Sequence, residues 1–498
     1  MKYLSTRNSE LRITASEAIL KGISDDGGLF VPETIPHFNV STKELTKMSY
    51  REIAYEVMKL FFTDFTESEL KNCIDSAYDE KFDIPEICAV HPAANAYFLE
   101  LFHGKTIAFK DMALSILPHL LTTAARKNGV KEEVVILTAT SGDTGKAALS
   151  GFSDVPGTRI IVYYPKAGVS RIQELQMVTE KGKNTCVIAI NGNFDDAQTR
   201  VKQMFADKTF TDELKENGFV LSSANSINIG RLVPQIVYYV WGYSRMIMSG
   251  AIKENEPINI TVPTGNFGNI LAAWYAKKMG LPVNRLICAS NRNKVLFDFF
   301  ETGTYDKNRD FYLTTSPSMD ILVSSNLERL LFYACGEDSE ELKSLMGDLK
   351  NKGKYTVSDS VRFNLSDFSE GYADDEKVSH TIKEIFDKYN YVIDTHTAVA
   401  ASVYADYATK TSDTTKTLIA STASPYKFPR AVLKSITGDA HESADDLKLT
   451  EILNEISGVP VPGAVKDLKT AQICHNTVCD PCDMEKSAKN FLKIDQKP

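Results

Sequence analysis

From residue 133 onward, short runs that are apolar throughout alternate with segments of helical periodicity. Val134-Val135-Ile136-Leu137 runs into Ser141-Gly142-Asp143-Thr144-Gly145, and a helix is expected over 146–151. Arg159 to Tyr164 reads as the next strand, ended by Pro165, and Thr185 to Ile190 and Phe219 to Ser222 repeat the theme. After Lys253 the strand Ile258 to Pro263 leads through Thr264-Gly265-Asn266-Phe267-Gly268-Asn269 into a helix from Ile270 to Met279, and Leu286 to Ser290 forms another strand. Tyr391 to Ala398 and Leu418 to Ala423 are expected to return to the sheet. Strands that are apolar on both faces and alternate with helices are parallel and covered on both sides. The pattern describes an α/β protein with two wound regions, its active site in a cleft at the carboxyl ends of the strands.

The first hundred residues read differently. Ser16 to Leu20 and Tyr50 to Phe62 carry apolar residues at helical spacing, and Asp25 to Pro32 is a turn running into a short extended piece. The stretch from Gly336 to Asp375 is charge-rich and strand-poor, so it reads as an excursion or cap outside the sheet. The expected division is a helical N-terminal domain over 1–95, an α/β domain over 96–250, and a second α/β domain over 251–498 with a charged helical excursion at about 336–380.

Composition narrows the function classes. The 498 residues leave room for two to three domains. A net charge of -9 argues against nucleic acid or an anionic membrane as the main partner, but not against an anionic small molecule met by local basic groups. No apolar run is long enough to span a bilayer, and Met1 to Arg7 is not followed by a signal-peptide core, so a cytoplasmic enzyme is expected. Eight scattered cysteines read as reduced thiols. Cys474-His475, Cys479 and Cys482 contain one pair at zinc-ligand spacing without a second pair to face it, and no metal is expected.

Candidate chemistry centres on Lys110, which follows the apolar run Thr106-Ile107-Ala108-Phe109 and opens a helix expected from Met112 to Lys127. A recessed lysine is driven toward the neutral amine, the form that makes Schiff bases. By itself a lysine at a helix start is a solvated surface group; its companions alter that reading. Gly265 to Asn269 place two glycines and successive N–H groups at a helix start, a geometry that binds phosphate; alone, a plain tight turn is the commoner reading, and the loop is neither a Walker motif nor a dinucleotide fingerprint. Ser141 to Thr144, with Thr140, offer hydroxyls and amides suited to a carboxylate; a helix cap is the plainer alternative. Arg231, beyond Ser223 to Asn228, can hold a second phosphate or lie on the surface. Thr422 ends a late strand, where its hydroxyl can meet a ring nitrogen; by itself a buried, satisfied threonine is the plainer reading. His103 and His396 read as structural histidines.

A lysine for a Schiff base, a phosphate cradle, a carboxylate loop and a neutral hydroxyl together meet the needs of pyridoxal 5'-phosphate. The ordered motifs resemble those of the threonine synthase family, in its longer bacterial and fungal form, nearly end to end. They are Tyr3-x-Ser5-Thr6-Arg7, Ala15 to Ile19, Asp26 to Pro32, Phe102-His103-Gly104 to Lys110-Asp111, Ser141 to Gly145, Gln173 to Met177, Gly192 to Asp196, Ser223 to Asn228, Pro263 to Asn269, Asp394 to Ala398 and Ser421-Thr422-Ala423. The resemblance implies a fold type II, tryptophan synthase β-like enzyme acting as monomer or homodimer. It implies conversion of O-phospho-L-homoserine and water to L-threonine and phosphate, with no nucleic acid or membrane partner. By the same resemblance Lys110 is the catalytic, Schiff-base lysine and Gly265, Asn266, Phe267, Gly268 and Asn269 hold the cofactor phosphate. Thr422 faces the pyridine nitrogen, and Thr140, Ser141, Gly142, Asp143, Thr144, Asn228 and Arg231 contact substrate. Lys105, Ile229-Gly230 and Ser424 to Phe428 depart from the family pattern, the last replacing a histidine-containing version. The alternatives on the same fold are a phospho-lyase or dehydratase that releases a 2-keto acid and ammonia, and a binding-only relative.

Overall fold

The chain begins with a small antiparallel sheet in which β1 (Tyr3–Ser5) lies between β2 (Asn8–Ile13) and β3 (Phe30–Pro32). The helices of this region, Ala15–Lys21, Tyr50–Phe61 and Glu67–Ala77, each open on a capping box. Thr14, Ser49 and Thr66 accept from the third helical N–H, and Glu17, Glu52 and Glu69 return a bond to the cap. The region is therefore helical as its periodicity implies, with a sheet added because residues 3–13 find β partners. The computed structural model describes residues 1–494 other than Ser141, Ala167, Gly168 and Ala440.

Further along come the hairpin β4 (Ala89–Ala93) and β5 (Ala96–Glu100), then β6 (Glu133–Ala139), β7 (Thr158–Pro165), β8 (Thr185–Ile190) and β9 (Phe219–Ser222). β10 (Ile258–Pro263) and β11 (Val283–Ser290) precede a two-stranded piece made by β12 (Thr304–Asp306) and β13 (Lys354–Thr356). β14 (Phe368–Tyr372), β15 (Thr417–Ser421) and β16 (Thr477–Cys479) complete the strands. They assemble into a five-stranded parallel sheet, β16-β8-β7-β6-β9, and a six-stranded sheet, β14-β11-β10-β15-β5-β4, parallel except for the β4–β5 hairpin.

Sheet membership cuts across the boundaries expected from linear order. β5 pairs in parallel with β15, Leu418 opposite Tyr97, so residues 96–100 lie in the sheet of the C-terminal region. β16 returns to pair with β8 of the other sheet. Strand pairing is non-local, and composition along the chain does not record it.

Three expected elements also differ. Tyr391 to Ala398 is not a strand: the chain is irregular to Asp394, whose carboxylate accepts from the N–H groups of His396 and Thr397 and starts the helix Thr395–Thr411. The charge-rich excursion contributes a strand, since β14 forms the edge beside β11. The helix expected from Met112 to Lys127 divides into Asp111–Leu114 and Leu117–Lys127, because Pro118 in the first turn of the second piece has no N–H to continue the ladder.

Candidate active site

Three loops at the carboxyl ends of β6, β10 and β15 face one region, as wound sheets dictate. Lys110 is brought there by strand-like bonds to the chain beyond β15. Ala108 bridges Ala423, and Phe109 N–H donates to the Thr422 carbonyl at 2.8 Å. The Asp111 carboxylate locks the turn, accepting from the Thr106 N–H at 2.8 Å and its hydroxyl at 2.6 Å. Ile107 is held at φ 52°, a left-handed conformation that a β-branched residue adopts only under constraint from its surroundings.

The Lys110 side chain is 12% exposed, and its Nζ donates to Ser318 Oγ at 3.2 Å and meets Asp143 Oδ2 at 3.5 Å. Burial lowers its pKa; the Asp143 carboxylate opposes that, and the charges of Lys427 and Arg231 reinforce it. Asp143 also accepts from Lys427 Nζ at 3.0 Å, Ser318 Oγ at 2.8 Å and Gln173 Nε2 at 2.8 Å. Its carboxyl sits well below the usual range despite burial, because the lysines Lys427 and Lys110 outweigh desolvation.

The loop after β10 has the features of an anion cradle. Phe267 enters the helix Gly268–Lys278 at φ 64°, and no side chain caps its first turn. The side-chain Nδ2 of Asn269 is buried without a partner, while its Oδ1 accepts from Tyr238 at 2.7 Å and from Tyr239. A Cβ on Gly268 would find its nearest neighbours, Asn326 Nδ2 and Gln235 Nε2, at 3.5 and 3.7 Å, so amide donors border open space. Uncapped helix amides and an unsatisfied buried donor fit a phosphate. Gly265 is required by close approach, since a Cβ there would lie 2.7 Å from the Ser318 carbonyl. Asn266 is exposed, and its carbonyl accepts from Asn326.

Other expected residues fall into place unevenly. Arg231 is 4% exposed; Nη1 donates to the Ala224 carbonyl at 2.8 Å, Nε has no partner, and no carboxylate pairs with it among the described residues. Thr422 is buried, and among the described residues its hydroxyl has no hydrogen-bond partner. The Thr140 hydroxyl accepts from Gly142 and Gly145 N–H, both at 3.0 Å, shaping the loop. Gly142 holds φ 135°, open only to glycine, and Thr144 is half-buried. Ser141 lies outside the described residues. Asn228 caps a helix: Oδ1 accepts from Gly230 N–H at 2.8 Å and Nδ2 donates to the Ile19 carbonyl at 2.9 Å, and Arg231 lies in the first turn of that helix. The Asp143 side chain faces two lysines.

Ser318 and Lys427 were not anticipated as site residues. Ser318 belongs to a strap over the mouth, held where its N–H donates to His396 Nε2 at 3.1 Å; His396 Nδ1 in turn bonds Asp394 at 2.8 Å. Ser318 sits in a single 3-10 turn, Pro317–Met319, too short to carry a periodic pattern. Lys427 had a signal, its place just beyond the carboxyl end of β15. The described residues contain no group able to hold a metal, and all eight cysteines are free. No helix among them is long and apolar enough to cross a membrane.

Comparison with known proteins matches this geometry to a family. The threonine synthase N-terminus model matches residues 2–78, the pyridoxal-phosphate dependent enzyme model 90–422, and the threonine synthase C-terminal model 397–468. The threonine synthase of Schizosaccharomyces pombe is 40% identical over 87% of this chain and 88% of its own. A PLP-bound threonine synthase structure from Brucella melitensis is similar at TM-score 0.86 and 35% identity, and the yeast structure at 0.88 and 32%, each covering 99% of both chains. The chain is also 37% identical to human threonine synthase-like 1 over 87% of its own length, and spans 60% of that longer protein. From the matched models and from relatives aligned over most of both chains, this chain belongs to the threonine synthase family of pyridoxal-phosphate dependent enzymes.

Proposed function

We propose that the chain converts O-phospho-L-homoserine and water to L-threonine and inorganic phosphate, using pyridoxal phosphate. One observation carries this reading: a recessed amine, Lys110, with two anion-binding positions, the uncapped helix start at Gly268 and the carboxylate-free Arg231. One suits the cofactor's phosphate, the other the substrate's. When bound, the cofactor supplies a carbonyl for an amino group and a conjugated ring that spreads the charge left at Cα.

Within that frame Lys110 holds the cofactor, takes the Cα proton and later returns one. Gly265, Asn266, Phe267, Gly268 and Asn269 hold the cofactor's phosphate. The Thr422 hydroxyl, without a partner among the described residues, would meet the cofactor's ring nitrogen as a neutral group. Amides and hydroxyls of residues 140–144 hold the substrate carboxylate, and Arg231 holds its phosphate through departure from Cγ. The strap bearing Ser318 limits water around Lys110.

The test is a paired assay on the cofactor-loaded protein given O-phospho-L-homoserine, following inorganic phosphate in one channel and threonine against 2-ketobutyrate in the other. Equal phosphate and threonine, both abolished by Lys110→Ala, is the expected result. Phosphate with ketobutyrate would make the enzyme a lyase, and no phosphate would overturn the substrate.

A further inference from the structure

The site holds a second buried lysine to which the proposed chemistry assigns no role. The Lys427 side chain is 1% exposed, and its Nζ donates to Asp143 Oδ1 at 3.0 Å and to the Thr106 carbonyl at 3.0 Å. Thr106 is the residue that Asp111 grips to shape the turn into Lys110. Lys427 thus touches both the carboxylate that faces Lys110 and the backbone that presents Lys110. Asp143 lies closer to Lys427, at 3.0 Å, than to Lys110, at 3.5 Å.

A buried carboxylate with one cationic neighbour forms a tight pair and holds that neighbour's proton. Were Lys110 the only cation beside Asp143, its ammonium form would be favoured, and an ammonium is neither nucleophile nor base. We propose that Lys427 is a positioning residue that takes up the Asp143 carboxylate as a permanent counter-ion, so that Lys110 stays available as a neutral amine. The inference rests on the assignment of Lys110 as the reacting lysine, and not on the identity of the substrate.

The charged groups around this cluster come from four segments. Lys110 faces Asp143 at the start of helix Asp143–Phe152, Arg231 of helix Ile229–Met248, and Lys427 beyond β15; Ser318 of the strap adds a neutral hydroxyl. Lys427 additionally faces Asp111 and the buried Lys146. Lys146 donates to the Gln176 carbonyl at 3.1 Å and so does not compete for Asp143.

The test is trace acetylation of the full-length, cofactor-free chain across a pH series, read as labelling of the Lys110 peptide by mass spectrometry. Only the neutral amine is acylated, so the midpoint reports Lys110's own protonation, whatever substrate the enzyme takes. Lys427→Met is expected to raise that midpoint by about one unit or more, a roughly tenfold fall in labelling at neutral pH. Lys427→Arg, which keeps the charge, restores the midpoint to that of the parent chain. In an Asp143→Asn background, Lys427→Met moves the midpoint by less, because the carboxylate it would leave unopposed is gone; this pair also removes the unpaired buried charge that could unfold the single variant. An unchanged or lowered midpoint in Lys427→Met, or an equal shift in both backgrounds, overturns the proposal.

Discussion

Arg231→Met should make the cofactor-free protein more stable and less able to bind phosphate. Burial alone pulls the Arg231 pKa down to about 10, well below the ordinary guanidinium value. For a base this sign means that the unfolded chain holds the proton more tightly. The penalty is full below pH 10 and fades as the pH climbs from there to the ordinary guanidinium value. At 1.36 kcal/mol per unit the cost at neutral pH is about 3 kcal/mol. The bond from Nη1 to the Ala224 carbonyl offsets about 1–2 kcal/mol of that. Methionine keeps most of the stem's packing, so the substitution should add roughly 1–2 kcal/mol, measured by urea unfolding of the full-length chain. The same change should weaken binding of O-phospho-L-homoserine about 100-fold or more, the usual cost of removing one partner of a buried charge pair. Inorganic phosphate should then stabilise the variant less than the parent chain, the cradle at Gly268 remaining in both. A variant several kcal/mol less stable, or one that still responds to phosphate like the parent, would refute the reasoning.

Gly265→Ala places a Cβ 2.7 Å from the Ser318 carbonyl, pushing the strap from the loop at a cost of about 1–3 kcal/mol. Cofactor titration followed by absorbance should show affinity at least about tenfold weaker; unchanged affinity would mean that strap and loop are not in contact. His103 carries a pH-dependent contribution. Burial opposes its charge, but the carboxylates of Asp83, at 2.7 Å, and Glu100, at 3.1 Å, win and push its pKa up to about 9. Its stabilisation is therefore complete below pH 6.5 and lost as the pH rises through about 9. Allowing for the half-exposed Asp83, His103→Gln should cost about 1–2 kcal/mol at pH 6 and almost nothing above pH 10, read as unfolding midpoints across the range.

Local chemistry made much of this protein readable from its residues. Apolar runs become β6, β7, β8, β10, β11 and β15 because a strand buried on both faces needs nothing else. Glycines at 265 and 268 and a lysine at 110 point to a phosphate loop and an amine only in each other's company, since each alone has a plainer reading. Asn228, expected as a substrate contact, caps the helix Ile229–Met248, since an asparagine serves either end.

What the tertiary structure decided is which of these pieces meet. The pairing of β5 with β15, which carries Lys110 to Thr422, joins segments far apart in the chain, and no periodicity encodes it. Ser318 reaches Lys110 from the short 3-10 turn Pro317–Met319, and Lys427 takes Asp143 across the cleft. Secondary structure and backbone chemistry depend on neighbours within a few residues and so are written locally. The protonation of Lys110 depends on charges within a few ångströms in space, and only the folded chain brings those together.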